Sequence, residues 1–206
     1  MPTMKIEDSP ETYQIKVTLL GTRPPIWRRL LVPSCITLAQ LHDVLQIAMG
    51  WEDCHLHEFR LGHQRFGVPS PEDRFMGGPG CINEKKVRLC DVLGKAGARA
   101  EYAYDFGDSW EHRIALEKVL PSESGFTCPV CTGGKLHGPP EDCGGIWGFY
   151  NFLEAIQDLE HDQHEELLEW IGGSFDPEAF SPAEVNQRLL KRFGPRRKAA
   201  AAGPDR

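Results

Sequence analysis

The chain has 206 residues, 40% of them hydrophobic and five of them tryptophan, which suits one substantial domain with its own core. Its formal charge of −7 is uneven: residues 191–206 hold six of the 23 Lys/Arg and one of the 30 Asp/Glu, so the first 190 carry a net −12. A body this acidic repels phosphate backbones at long range, and no apolar run reaches the roughly 18–20 residues of a bilayer span.

Residues 1–11 are polar and acidic, unlike a secretory or transit peptide, and are expected to be a disordered N-terminus on a cytoplasmic protein. "YQIKVTLLG" (13–21) alternates apolar Ile15, Val17 and Leu19 with polar positions, the period of a half-buried strand. "RPPIWRRLLVP" (23–33) predicts a second strand entered through a proline pair. "TLAQLHDVLQIAMGW" (37–51) predicts a helix with a Thr37/Gln40 capping box, an apolar face and Gly50 as its left-handed stop. "CHLHEFRLG" (54–62) predicts a strand with His55, His57, Phe59 and Leu61 on one face. Residues 63–86 form a long Gly/Pro-rich loop, a length usual for functional or mobile segments. Residues 87–97 suggest a short strand and a helical turn or two. "RAEYAYDFGDSWEHRIALEKVL" (99–120) predicts a hairpin, with Tyr102 and Tyr104 on one arm and Trp110, His112, Ile114 and Leu116 facing one way on the other. The rest is helical: "IWGFYNFLEAIQDL", "HEELLEWIG" and "SPAEVNQRLLKRF" (181–193), the last with Ser181 as N-cap and Pro182 at the first position. Strands early and helices late predict a single α+β domain over residues 12–193, a mostly antiparallel sheet with helices packed on one face. Residues 194–206 then form a flexible basic tail.

Three groups of residues carry chemistry. Cys128, Cys131, His137 and Cys143 lie in "TCPVCTGGKLHGPPEDCGG", and thiolates with imidazole are the ligands zinc prefers. The alternatives are a Gly/Pro turn region with unligated thiols, or a redox C-x-x-C. Seven cysteines cannot all pair within one chain, and Cys35, Cys54 and Cys90 read as ordinary thiols beside apolar segments. In the same stretch Glu141 and Asp142 read as amide acceptors at a rigid corner, or as carboxylates for chemistry or metal. The second group is His55, His57, Asp105, Asp108 and His112. It suits a catalytic metal or acid–base chemistry, or a set of hydrogen-bonded imidazoles at the core edge. The third is 153–170, with seven acids, two His and no Lys/Arg, which reads as the solvated face of two helices, or as a surface for a cation or a basic partner. No phosphate-binding Gly-rich loop and no dinucleotide fingerprint occur, so no nucleotide cofactor is expected.

The stretches "YQIKVTLLGTRPPIWRRLLVP", "TLAQLHDVLQIAMGWEDCHLHEF", "YDFGDSWEHRI", "PPEDCGG" and "HEELLEWIGGSFDPEAFSPAEVNQRLL" together resemble the plasmid ORF-3-like family, over roughly residues 12–192. The resemblance implies a single α+β domain and an association with mobile elements, some members being labelled resolvase-like passengers of insertion elements. Many relatives place a Cys directly before "PPEDCGG", where this chain has Gly138, while Cys131 and Cys143 match family cysteines. Strand exchange by a serine enzyme needs a serine beside an arginine cluster. Arg23 has none beside it, and the last tyrosine, Tyr150, falls inside a predicted helix.

The expectation is a binding or accessory module. Its groove, for a protein or small ligand, lies between the His55/His57 strand, the 63–86 loop and the "DFGDSW" hairpin, with the 128–145 loop as a brace around zinc. The alternative is a metal-dependent hydrolase or nuclease using the His/Asp group. A further alternative is an accessory protein that touches DNA only through Lys191, Arg192, Arg196, Arg197 and Lys198 of the tail.

Overall fold

Tyr13, Ile15, Val17 and Leu19 alternate along β1 (Glu11–Leu19), and all four are buried. The computed structural model describes residues 11–70, 80–121, 123 and 126–195. β1 pairs antiparallel with β2 (Trp27–Pro33) on one edge and with β7 (Trp110–Pro121) on the other. β3 (His57–Leu61), β4 (Gln64–Gly67), β5 (Ile82–Asn83), β6 (Arg99–Tyr104) and β8 (Val130–Lys135) complete one eight-stranded sheet. Its order is β5-β4-β3-β6-β7-β1-β2-β8, antiparallel throughout except for the short β4–β5 pair. The chain is the expected α+β domain.

Register decides what each face of the sheet presents. Phe59, Tyr102, His112 and Leu19 line up across four strands, as do His57, Tyr104 and Trp110 across three. Tyr102, Tyr104, Trp110 and His112 are fully buried. The opposite face is polar. There Arg29 Nε donates to Glu117 Oε2 at 2.7 Å, and Arg60 Nη2 to Glu111 Oε1 at 2.6 Å.

Helix α1 (Leu38–Met49) covers the buried face, and its His42 Nδ1 lies 2.8 Å from the Tyr102 hydroxyl. Its start and stop follow the expected chemistry: Thr37 and Gln40 bond reciprocally, and Gly50 adopts φ 95. α2 (Leu89–Val92) is a short turn, and α3 (Gly145–Gln157) is followed by α4 (His164–Trp170). α5 (Pro182–Phe193) starts at Ser181, whose Oγ accepts from Glu184 N. Asn186 of α5 brackets β8, accepting from Cys131 N at 2.6 Å and donating to Cys131 O at 3.0 Å.

The sequence reading differs from the fold in three places. β8 occupies a stretch read as loop. Gly133 and Gly134 lie opposite Arg29 and Arg28 in the sheet, and a Cβ on Gly134 would stand 2.5 Å from the Phe180 ring. Gly134 serves close approach within a strand, not a turn. The 63–86 segment contains β4 and β5, with 71–79 outside the described residues. The strand expected at 54–62 begins only at His57.

Glu11, expected in the disordered N-terminus, opens β1, and residues 1–10 lie outside the described residues. So do Arg196, Arg197 and Lys198 of the tail. Lys191 and Arg192 end α5, where Arg192 Nη2 sits 3.1 Å from Asp43 Oδ2 and ties α5 to α1. Arg192 is thereby committed within the fold. Among the described residues no helix is long and apolar enough to cross a membrane.

Candidate metal centre

Three segments distant in sequence meet at one end of the β6–β7 hairpin. The first follows α1. Trp51 stacks on Tyr104 with ring centroids 4.8 Å apart, and its Nε1 donates to Pro139 O at 2.9 Å. Asp53 at φ 59 then turns the chain, and His55 sits in a bend before β3 begins. The second is the hairpin turn. Asp105, at φ 53, accepts from Gly107 N through Oδ1, which leaves Oδ2 facing outward from the turn. The third is "PPEDCGG" (139–145), with Glu141 and Asp142 followed by the glycine pair that starts α3. Gly144 N donates to Asp108 Oδ2 at 3.1 Å. A Cβ on Gly145 would lie 2.5 Å from Asp108 O, so the loop rests directly on the hairpin backbone.

His55 Nε2 faces three carboxylates: Asp142 Oδ1 at 3.0 Å, Asp105 Oδ2 at 3.7 Å and Glu141 Oε2 at 3.9 Å. Despite the 3.0 Å approach, His55 Nε2 makes no aligned hydrogen bond, and neither does Glu141 Oε2, though both atoms are buried. The other Glu141 oxygen is fixed by Glu52 N and the Tyr104 hydroxyl, both at 2.9 Å. Cis ligands held at about 2.1 Å from a divalent ion stand about 3.0–3.4 Å from each other, a spacing that His55 and Asp142 meet at 3.0 Å and that Asp105 and Glu141 exceed at 3.7 and 3.9 Å. Atoms that crowd together without bonding one another have the arrangement of ligands converging on a shared centre. His55, Asp105 and Asp142 are one of two groups among the described residues whose ligand atoms all lie within 4.8 Å.

The other group is His42, Asp53 and His57. The rings of His42 and His57 stack with centroids 3.4 Å apart and planes 6° from parallel. An imidazole lone pair lies in its ring plane, so two parallel stacked rings cannot both aim at one ion. Their nitrogens are also engaged: His42 with Tyr102 and Asp53, and His57 Nε2 with Glu84 Oε2, each at 2.8 Å. Burial and the neighbouring His57 hold the His42 imidazole below its ordinary range, with Asp53 opposing. This cluster is a buried polar network joining α1, β3 and the turn at 84–86.

The structure therefore splits the predicted His/Asp group. His55 and His57 do not act together, because β3 starts at His57 and the period-two relation does not extend back through the bend. Asp105 joins His55. Asp108 serves as a backbone acceptor. His112 is fully buried against Trp51 and Tyr102, donates from Nδ1 to Tyr102 O at 3.2 Å, and is pushed by burial down to about 4, so it stays neutral. Asp142, read in sequence as a corner residue or as a carboxylate for chemistry or metal, comes together with His55 and Asp105, and Glu141 Oε2 lies 3.9 Å from His55 Nε2. His42, Asp53 and Glu84 carried no signal in the sequence beyond their residue type.

Cys128, Cys131, His137 and Cys143 do not form a group of three or more ligand atoms within that 4.8 Å spacing. Cys128 Sγ and Cys131 Sγ point to the carbonyls of Pro129 and Gly133, and His137 Nδ1 donates to Gly138 O at 2.7 Å. Burial raises all three thiols, Cys143 to about 12 with Asp108 adding to the effect. Gly138 packs against the end of α1, where a Cβ would lie 2.1 Å from Met49 O. This backbone has no room for a cysteine at position 138.

The comparisons with known proteins agree with the fold. The chain is 42% identical over 178 residues to uncharacterized protein y4hQ of Sinorhizobium fredii (strain NBRC 101917 / NGR234), covering 85% of this chain and 89% of that one. It is 39% identical to the crystal structure of MM3350, a protein of unknown function from Methanosarcina mazei Go1. That likeness has a TM-score of 0.75 and covers 86% of this chain and 99% of the other. The model of the plasmid pRiA4b ORF-3-like proteins matches residues 11–184, and the chain belongs to that family.

Proposed function

We propose that this protein is a divalent-cation-binding module, with the ion held by His55 Nε2, Asp105 Oδ2 and Asp142 Oδ1 and with Glu141 Oε2 beside it. The observation that carries the reading is the pair of buried, unbonded atoms, His55 Nε2 and Glu141 Oε2, set among carboxylate oxygens. One imidazole with two carboxylates suits Zn²⁺ or Mn²⁺ better than Ca²⁺, which takes oxygen ligands only. Equilibrium dialysis against Zn²⁺ and Mn²⁺ tests it. The wild type binds one ion per chain, and His55→Ala and Asp105→Asn lose it while Cys131→Ser keeps it. Equal binding in wild type and His55→Ala removes the reading.

A metal-dependent hydrolase is the second reading, favoured by the side of the site that faces solvent. The Asp142 side chain is 69% exposed, so one flank of the ion stays open to water. Beside it lies a cleft of about 280 Å³, lined by Cys143, Asn151, Gln163, Glu166 and Trp170 among others. His55, Asp105 and Asp142 would hold the ion, which would lower the pKa of a bound water at the cleft mouth. Mn²⁺-dependent cleavage of a bis-nitrophenyl phosphate or a nitrophenyl ester that disappears with His55→Ala supports this reading. Binding without turnover leaves the module.

A further inference from the structure

A second feature lies away from the carboxylate site, in the sheet beneath α1 and α5. Arg28 is on the buried face of β2, opposite Val17 of β1, and is 2% exposed. Its guanidinium makes three hydrogen bonds, all to backbone carbonyls. Nε donates to Ala48 O at 2.7 Å, and Nη1 to Trp27 O at 2.9 Å and Lys135 O at 3.0 Å. The guanidinium carbon lies 4.1 Å from the centre of the Phe180 ring. Nη2 has no acceptor, and no carboxylate among the described residues comes within 4.0 Å of the group. Buried charges are normally paired, since removing an ion from water costs several kcal/mol. The carbonyls at the end of α1 supply partial negative charge only. Burial holds Arg28 down to about 10, so it remains a cation at neutral pH.

Arg28 forms part of the wall of a cleft of about 300 Å³. Its apolar lining comes from Ile47 and Met49 of α1, from Phe180 and from Val185 of α5. Arg188, exposed on α5 and with no ion pair among the described residues, stands at the same cleft. That volume is the low end of small-ligand pockets. We propose that this cleft binds a small organic monocarboxylate, its carboxylate taken by the free edge of Arg28 with Arg188 at the mouth and its apolar part against Phe180 and Val185. Glu184 also lines the cleft, and the surrounding body is acidic, so a doubly charged phosphate is disfavoured against a single carboxylate.

Isothermal titration of the full chain with benzoate, and separately with inorganic phosphate, tests the assignment. Wild type binds benzoate with a Kd at or below about 1 mM and binds phosphate at least tenfold more weakly. Arg188→Ala, on an exposed position, weakens benzoate about fivefold or more. Ala179→Trp, at the exposed rim, abolishes binding with an unchanged circular dichroism spectrum. Arg28→Gln loses binding, and if it does not fold the two rim variants decide. No benzoate binding at 10 mM, an unchanged Kd in both rim variants, or phosphate binding as tightly as benzoate each overturns the proposal.

Discussion

Gly145 tests whether the "PPEDCGG" loop is held where the carboxylate site needs it. The residue has φ +67, and a Cβ there would lie 2.5 Å from Asp108 O. Gly145→Ala therefore carries two penalties. A left-handed conformation costs a non-glycine residue about 1 kcal/mol. A Cβ forced against a backbone carbonyl has no flexible neighbour to displace, and overpacking of this kind costs about 1–3 kcal/mol. The expected loss is about 2–4 kcal/mol in urea unfolding, with the slope of the transition unchanged. Gly97 separates the two contributions. It has φ +89 with nothing within 4 Å of its Cβ position, so Gly97→Ala shows the backbone penalty alone, about 1 kcal/mol. In Gly145→Ala the loop must also lift from the hairpin. That carries Glu141 and Asp142 away from His55, so cation affinity falls with stability. Equal losses in the two variants would refute the close contact between loop and hairpin.

Three further outcomes follow from the packing. The folded chain keeps His112 neutral down to about pH 4, whereas an unfolded histidine takes a proton near 6.5. Its contribution is present above pH 6.5 and is lost as pH falls towards 4. Urea titrations should show about 2 kcal/mol less stability at pH 5 than at pH 7, with the lowered His42 adding in the same direction. A His112→Phe variant that keeps the full dependence contradicts this. Tyr102→Phe removes the hydroxyl that His42 Nδ1 and Gln46 Nε2 share, leaving two buried polar groups short of a partner at about 2 kcal/mol, readable as a lowered urea midpoint. Ser181→Ala removes the acceptor for Glu184 N and should cost about 1 kcal/mol in the same assay.

What the sequence made legible was local. Thr37, Gln40 and Gly50 bound α1, Ser181 and Pro182 open α5, and the Tyr102/Tyr104 and Trp110/His112 arms form their hairpin because each relation spans few residues. β8 was not legible, because Gly133 and Gly134 carry turn character in sequence, while in the sheet Gly134 permits close packing against Phe180. The His55/His57 pairing failed at a single place, the bend after Asp53, beyond which period-two reasoning does not hold. Of the site, His55 and Asp105 stood out by type. Their assembly with Glu141 and Asp142 depends on a long-range contact between loop and hairpin that no spacing rule encodes. The cysteines separate for a related reason: β8 draws Cys131 into strand pairing, Cys128 stays outside the strand, and Cys143 follows the loop to the hairpin.

The central claim is the position of the ion, and anomalous scattering locates it. A crystal grown with Zn²⁺ and measured on both sides of the zinc absorption edge should give a peak about 2.0–2.2 Å from His55 Nε2 and from oxygens of Asp105 and Asp142. A peak at Cys128 and Cys131 with none beside His55 would contradict the account and return the metal to the cysteine motif.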